Sequence, residues 1–167
     1  AFALEALAHE VRHMGKVAIS TVKATLQDPR DPAIARNKAN VARLAKIIAD
    51  FIVQINRTGM LQDQSEVLSQ LLRQARYYES ATELAVESAA VRIDSVREPA
   101  NDLPEADNFS SAARILLTLC DEAAASGESP SLHEAQQDAE RAYQALKARL
   151  LQLAVEGEIA VPNMDTQ

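Results

Sequence analysis

Apolar residues recur every three or four positions along most of this chain. The first such repeat consists of Leu4, Leu7, Val11, Met14 and Ala18. This spacing places the five side chains on one side of a helix. The repeat ends near the stretch DPRDP, because Pro29 and Pro32 each disfavour helix in the residue before them. We therefore predict a first helix that ends before these prolines.

Two further repeats predict a second and a third helix. The second starts after Pro32 and has its apolar positions at Val41, Leu44, Ile47, Ile48, Phe51 and Ile55. The third is the longest, with a seam of Leu68, Leu71, Ala75, Tyr78, Thr82, Ala85 and Ala89. Because the residues of this seam become smaller toward its C-terminal end, we expect a neighbouring helix to approach it closely there.

The last third of the chain predicts two more helices. The stretch FSSAARILLTLCDEAAAS reads as the fourth, and GESPS as the turn that follows it. Ser131 and Glu134 then fit a capping box at the start of the fifth helix, which we expect to end at Gly157. The fifth helix has its apolar positions at Ala135, Ala139, Tyr143, Leu146, Leu150 and Leu153.

Short turns between long amphipathic helices favour antiparallel neighbours. The prediction is an all-α protein, an antiparallel up-and-down bundle of about five helices. Residues 1–98 form a three-helix bundle in this prediction. Residues 99–107, rich in Pro, Asn and Asp, form a linker, and residues 108–167 form a helical pair that packs on the bundle or extends it.

Composition supports this fold class and excludes some functions. Hydrophobic residues make up 47% of the chain, which is enough for a core, and the chain has only four Gly and no Trp. The net charge of −7 argues against nucleic acid as a partner, because its binding depends on Lys and Arg that neutralise phosphates. Cys120 is the only cysteine and falls among leucines, so we interpret it as a small core residue in a reducing compartment.

The stretch HEVRH is the one motif that suggests catalysis. His9, Glu10 and His13 fit the pattern in which two histidines one helical turn apart hold zinc and the glutamate acts as general base. On the first helix, however, both histidines point away from the apolar seam. The only other histidine is His133, far along the chain, and no sheet edge is predicted to present a substrate. We therefore predict that the protein is not an enzyme.

One stretch of the third helix, SQLLRQARYYESATELAVESA, resembles a sequence pattern of a known protein family. It resembles the signature helix of the PhoU family in the spacing of its aromatic, acidic and small residues. ALAHEVRHMGKVA is similar to the first helix of that family and VARLAKIIADFI to the second. The resemblance implies a PhoU-like helical bundle.

The C-terminal stretch AYQALKARLLQLAVEGEIAVPNMD is similar to the end of bacterial sodium/phosphate cotransporter proteins, which carry a PhoU-like domain after their transmembrane helices. This implies a non-catalytic regulatory domain that modulates phosphate transport. Its partners would be the transmembrane portion of its parent protein or a phosphate-signalling protein, and it would lie on the cytoplasmic side of the inner membrane. The chain begins without Met, and its apolar residues have helical spacing from the first turn. We therefore expect it to be a piece of a longer protein.

The resemblance also implies a metal site, because PhoU-like proteins bind metal clusters through acidic residues four apart. Glu79 matches the first acid and Glu83 stands where the family has Asp, so these two residues are the expected ligands of a divalent or ferric ion. The second helix departs from the pattern, with Lys38 and Ala42 at the positions of its acidic pair. A solvated acidic face with counter-charges from Arg43 or Lys46 is the alternative interpretation.

Three other interpretations stay open at this point. The chain could be a free-standing PhoU-like metal-binding regulator of phosphate signalling, which predicts bound metal. It could be an enzyme built on HEVRH, which predicts zinc held by the first helix. It could also be a structural bundle that forms a homodimer through exposed apolar stripes. We interpret Tyr77 and Tyr78 as packing residues, with Tyr78 on the seam.

Overall fold

A computed structural model of the chain describes residues 2–56, 62–94, 103–126 and 131–157. These residues form five α-helices and no strand, so the prediction of an all-α helical bundle is confirmed. The helices are α1 (Phe2–Gln27), α2 (Pro32–Asn56), α3 (Gln62–Asp94), α4 (Pro104–Ser126) and α5 (Leu132–Val155).

The chain divides into two compact units, Ala1–Glu87 and Ser88–Gln167. The first unit, called unit 1 below, contains α1, α2 and most of α3, and unit 2 contains the last turns of α3 together with α4 and α5. The division falls inside α3, whereas the sequence placed a boundary after residue 98. Part of the predicted linker, residues 99–102, lies outside the described residues.

Helix α4 begins earlier than the sequence pattern indicated. It starts at Pro104, inside the stretch predicted as a linker. Proline is well suited to the first position of a helix, where its missing N–H would have no intrahelical partner. The N–H groups of Ala106 and Asp107 then bond to the carbonyl of Leu103, at 3.0 and 3.3 Å. The proline that suggested a break therefore starts the helix.

Unit 1 has a continuous apolar core supplied by all three of its helices. The predicted seam of α1 is confirmed, since Leu7, Val11 and Met14 are buried. Nine buried residues form this cluster: Leu7, Val11, Met14, Val41, Leu44, Ile48, Ile55, Leu68 and Ala75. The start of α1 lies beside the end of α2, because residues 6–10 and 47–51 line the same cleft. These two helices are therefore antiparallel.

The turn between α1 and α2 is fixed by two aspartates. The Asp28 carboxylate accepts the backbone N–H of Arg30 at 2.9 Å. The Asp31 carboxylate accepts the N–H of Ala33 at 2.8 Å, next to Pro32 at the first position of α2. An acidic side chain that accepts an N–H of the first turn caps a helix. The DPRDP stretch therefore ends one helix and starts the next.

Among its described residues, unit 2 has a smaller buried cluster, at which α4 packs on α5. Its buried cluster consists of Leu146, Leu150 and Leu153, and Leu103, Ala106 and Phe109 from the start of α4 pack against it. The start of α4 thus lies beside the end of α5, which makes this pair antiparallel as well. Phe109 also contacts Tyr143, with ring centroids 5.8 Å apart and planes tilted by 54°.

The two ends of α5 differ in how well the sequence predicted them. The capping box is wrong, because Ser131 has helical dihedral angles and its side chain makes no capping hydrogen bond. An N-cap hydroxyl needs a non-helical backbone to reach the N–H groups of the first turn. The predicted stop at Gly157 is confirmed: its φ of 77° is a left-handed conformation that glycine adopts readily.

Three predicted packing residues are more exposed than their spacing indicated. Tyr77 is 66% exposed, so its interpretation as a packing residue is wrong, and Ile47 is 45% exposed on α2. Tyr143 is also exposed, although its ring contacts Phe109. Of two adjacent residues on a helix, only one can point toward a given neighbouring helix. Ile48 and Tyr78 pack toward the core, and Ile47 and Tyr77 are therefore exposed.

Candidate functional site

The HEVRH stretch lies on the outer side of α1. His9 and His13 are exposed and Glu10 is half-buried, as the position of the seam predicted. The Nδ1 atom of His9 lies 3.7 Å from the Oε1 atom of Glu10, and no other salt bridge involves these residues in the described part of the chain. The two histidines therefore do not face a shared interior space, as a zinc peptidase would require.

A cleft of about 530 Å³ opens between the start of α1 and the end of α2. Its lining combines buried and exposed side chains: Ala6, Leu7, His9, Glu10, Ile47, Ile48 and Phe51. Leu7 and Ile48 are buried and belong to the core of unit 1, so the cleft floor is continuous with that core. A volume of this size is within the usual range of small-ligand sites, about 300–1,000 Å³.

The sequence patterns did not reveal this cleft. The sequence feature that could have indicated the cleft is the pair of adjacent apolar residues Ile47 and Ile48, because only one of the two can face the neighbouring helix. The other one, Ile47, forms part of the cleft wall. His9 and Glu10 were considered only for metal chemistry, whereas the structure places both at an apolar cleft.

The ring of Tyr78 on α3 lies against Gly15 on α1. A Cβ atom added to Gly15 would lie 2.7 Å from Cζ of Tyr78 and 2.9 Å from its Cε2. These distances are shorter than ordinary contacts, so any larger residue at position 15 would force the Tyr78 ring to move. The close approach expected at the small-residue end of the α3 seam stays a prediction, because this contact joins Gly15 to the large Tyr78 ring in the middle of α3.

Three threonines of unit 1 are buried. Thr21 and Thr82 are almost fully buried, and Thr25 is nearly so. Each hydroxyl donates to a carbonyl of its own helix: Thr21 to Val17, Thr25 to Val22 and Thr82 to Tyr78, at 2.7–2.8 Å. Buried hydroxyls that are bonded in this way are satisfied. They behave as compact packing residues and leave no unpaired group to bind a ligand.

The predicted metal ligands lie one turn apart on α3. Glu79 is half-buried, and Glu83 and the next acid in the row, Glu87, are exposed. Within the described residues, no group of three or more His, Cys, Asp or Glu side chains is arranged to hold a metal ion. Glu79 and Glu83 therefore lie on a mainly solvated face, and their role as ligands stays a prediction.

The basic residues that were expected to balance these acids are exposed. Arg43 and Lys46 of α2 lie on the surface, as does Arg76 on α3. In the part of the chain that the structure describes, neither Glu79 nor Glu83 forms a salt bridge. Exposed ion pairs contribute little to stability, about 0–1 kcal/mol, so the fold does not depend on this pairing.

The other candidate groups lie in unit 2. Cys120, the only cysteine of the sequence, is half-buried on α4. His133 is exposed near the start of α5, where its Nε2 lies 3.0 Å from Nε2 of Gln137. Asp138 and Arg141 form an exposed salt bridge one turn further along. None of these groups belongs to a cluster that suggests a reaction.

Comparisons with known proteins give no relative for this chain. No protein-family model, no curated protein and no solved structure matches it. Among the described helices, none combines the length and the apolar character needed to cross a bilayer.

Proposed function

We propose that this chain is a non-catalytic PhoU-like regulatory domain of a sodium-dependent phosphate transporter. Its role would be to modulate phosphate transport by contacting the transmembrane portion of its parent protein or a phosphate-signalling partner. It would act on the cytoplasmic side of the inner membrane. The proposal starts from the sequence resemblance and is supported by the following features of the structure.

The contact between Gly15 and Tyr78 is the observation that carries the proposal. Two of the segments that carry the resemblance are ALAHEVRHMGKVA on α1 and LLRQARYYESATELA on α3. These segments are about 60 residues apart in sequence, yet Gly15 of the first lies against the Tyr78 ring of the second. The two segments therefore pack against each other, as the proposed bundle requires.

The positions of the polar residues support a role without catalysis. His9 and His13 are exposed, and the buried threonines are occupied by bonds within their own helices. The accessible features of unit 1 are instead an apolar cleft and single exposed apolar side chains such as Tyr77 and Leu84. Features of this kind suit contact with a partner or a ligand better than bond-breaking chemistry.

The complete reading frame that encodes this chain gives the first test. The proposal predicts repeated apolar segments of about 20 residues in the same protein, each long enough to span a membrane. A complete protein without such segments, and with no transporter subunit that it co-purifies with, would contradict the transporter assignment.

Phosphate uptake gives the second test. Cells that express the complete protein would be assayed for sodium-dependent uptake of radiolabelled phosphate, with Gly15→Val as the variant that disturbs the α1–α3 contact. The matched control is Ala3→Val, a change at an exposed position of the same helix. We expect Gly15→Val to change the uptake rate per transporter at least about twofold, while the control leaves it unchanged. Equal uptake in all three proteins would refute a regulatory role.

A free-standing metal-binding regulator is the second candidate. The observation in its favour is the one-turn spacing of Glu79 and Glu83, which lets two carboxylates share a cation. The full chain would be incubated with zinc or ferric ions, dialysed and analysed for bound metal, with Glu79→Gln as the variant and Glu66→Gln as the control on the same helix. Bound metal that is lost only in Glu79→Gln would favour this candidate over the first.

A further inference from the structure

The cleft between α1 and α2 has the character of a binding site. Its floor is formed by Leu7 and Ile48, which are buried in the core, and its wall by Ile47, which is 45% exposed. Phe51 also lines the cleft and is half-buried. An apolar cleft with a few polar groups at its edge is the usual form of a small-ligand site.

The extent of the lining favours a compact ligand over a partner helix. The lining residues run from Ala6 to Glu10 on α1 and from Ile47 to Phe51 on α2, which is about one turn, or about 6 Å, along each helix axis. A partner helix that docks in a groove uses anchors over two turns, at positions i, i+3, i+4 and i+7. The described part of the lining is too short for such a set of anchors.

The charge at the cleft edge favours a cation. Among the described residues that line the cleft, Glu10 is the only carboxylate and none is Lys or Arg. The Glu10 side chain is 41% exposed, and its partner His9 lies 3.7 Å away and is 72% exposed. Such an exposed pair is weak, so a cationic group in the cleft can replace His9 beside the carboxylate at little cost.

The geometry points to a binding site for a compact amphiphilic cation in the α1–α2 cleft. The apolar body of the ligand lies on Ile47, Ile48 and Phe51, and its ammonium group faces the Glu10 carboxylate. This site is independent of the proposed role in phosphate transport, because it involves neither Glu79 and Glu83 nor the contact between Gly15 and Tyr78.

A matched series of ligands tests both parts of the site. Phenylbutylamine, phenylbutanol and phenylbutyrate share one apolar body and differ in charge, and each would be titrated into the full chain. Binding would be followed through the NMR shifts of backbone amides in α1 and α2. We expect the amine to bind about threefold to fivefold more tightly than the alcohol, as a half-exposed ion pair allows. The acid should bind more weakly than the alcohol.

Three variants assign the effects to individual residues. Glu10→Gln should remove the preference for the amine and leave the binding of the alcohol unchanged. Ile47→Ser should weaken all three ligands by about fivefold or more, because it removes apolar contact area. His9→Asn should strengthen amine binding, because it removes the competing partner of Glu10.

Glu83→Gln is the control for the loss of a negative charge, since this exposed carboxylate lies on α3 and outside the cleft lining. Its amine preference should equal that of the unchanged protein. The proposal is overturned if none of the three ligands binds, if they bind equally well, or if Glu83→Gln removes the preference as fully as Glu10→Gln does. A negative result in these ligand titrations would not affect the phosphate-transport proposal, which the uptake assay tests separately.

Discussion

Units 1 and 2 are both antiparallel helical assemblies, but they bury their apolar residues to different degrees. In unit 1, three helices enclose a cluster of nine buried residues that runs from Leu7 to Ala75. In unit 2, the described cluster has three buried leucines, and Ile115 of α4 is 58% exposed. A helix pair can cover only one stripe of each helix, whereas a third helix covers a second stripe.

This difference suggests how stability is divided along the chain. Unit 1 gains from burial of large side chains and from close contact at Gly15. Unit 2 depends more on individual contacts such as the Phe109–Tyr143 ring pair. We therefore expect the same type of substitution to cost more in unit 1 than in unit 2.

The largest expected effect comes from matched leucine truncations. Leu7→Ala removes a side chain that is 1% exposed and should lower the free energy of unfolding of unit 1 by about 2–5 kcal/mol. Leu146→Ala, in the smaller cluster, should lie at about 2 kcal/mol, because the two helices can close around the cavity. Urea titration followed at NMR signals from each unit measures both values. An equal or larger cost for Leu146→Ala would break the comparison.

The next effect tests the Gly15 contact. Gly15→Ala should destabilise unit 1 by about 1–3 kcal/mol, because the added methyl group overlaps the Tyr78 ring. In a Tyr78→Leu background the same change should become stabilising by up to about 1 kcal/mol, since alanine is the better helix former. Thermal and urea unfolding of the four proteins of this cycle give the coupling. An unchanged effect of Gly15→Ala in both backgrounds would refute the close contact.

A smaller effect is expected for the aromatic pair of unit 2. A double-mutant cycle with Phe109→Ala and Tyr143→Ala should give a coupling of about 0.5–1.5 kcal/mol, the range of tilted ring pairs. Urea unfolding of the single and double variants measures the coupling. In the control cycle, Phe109→Ala is combined with Gln144→Ala, and we expect no coupling free energy between these two substitutions. A coupling as small as that of the control would show that the rings do not stabilise unit 2.

The smallest effect compares two helix starts. Asp31→Ala removes a carboxylate that accepts the N–H of Ala33 and should destabilise α2 by about 0.5–2 kcal/mol. Ser131→Ala should change the stability of unit 2 by no more than about 0.5 kcal/mol, because its side chain makes no capping bond. Urea unfolding measures both. A cost for Ser131→Ala similar to that of Asp31→Ala would restore the capping box that the sequence suggested.

The helices and the core of unit 1 could be predicted from the sequence, because apolar spacing alone places Leu7, Val11 and Met14 on one face. The start of α4 was predicted too late, since Pro104 reads equally well as a break and as a first helical residue. The cap at Ser131 failed because motif spacing does not specify the dihedral angles of the residue.

The candidate sites were less predictable, because they depend on how two helices are aligned. The sequence gives the face on which Gly15, Tyr78 and Ile47 lie, but it does not give the register that brings Gly15 against Tyr78. The cleft likewise depends on which end of α2 lies beside His9 and Glu10. Helix register is set by the packing of many side chains together and is not encoded in any one motif.

Hydrogen exchange of the complete chain tests the difference between the two units most directly. Amides in the central turns of α1 and α2 should be the slowest to exchange, because they open only when the core of unit 1 unfolds. Amides of α4 and α5 should exchange at least about tenfold faster, through separate opening of unit 2. Equal protection in the two units, or the slowest exchange in α4 and α5, would contradict this account.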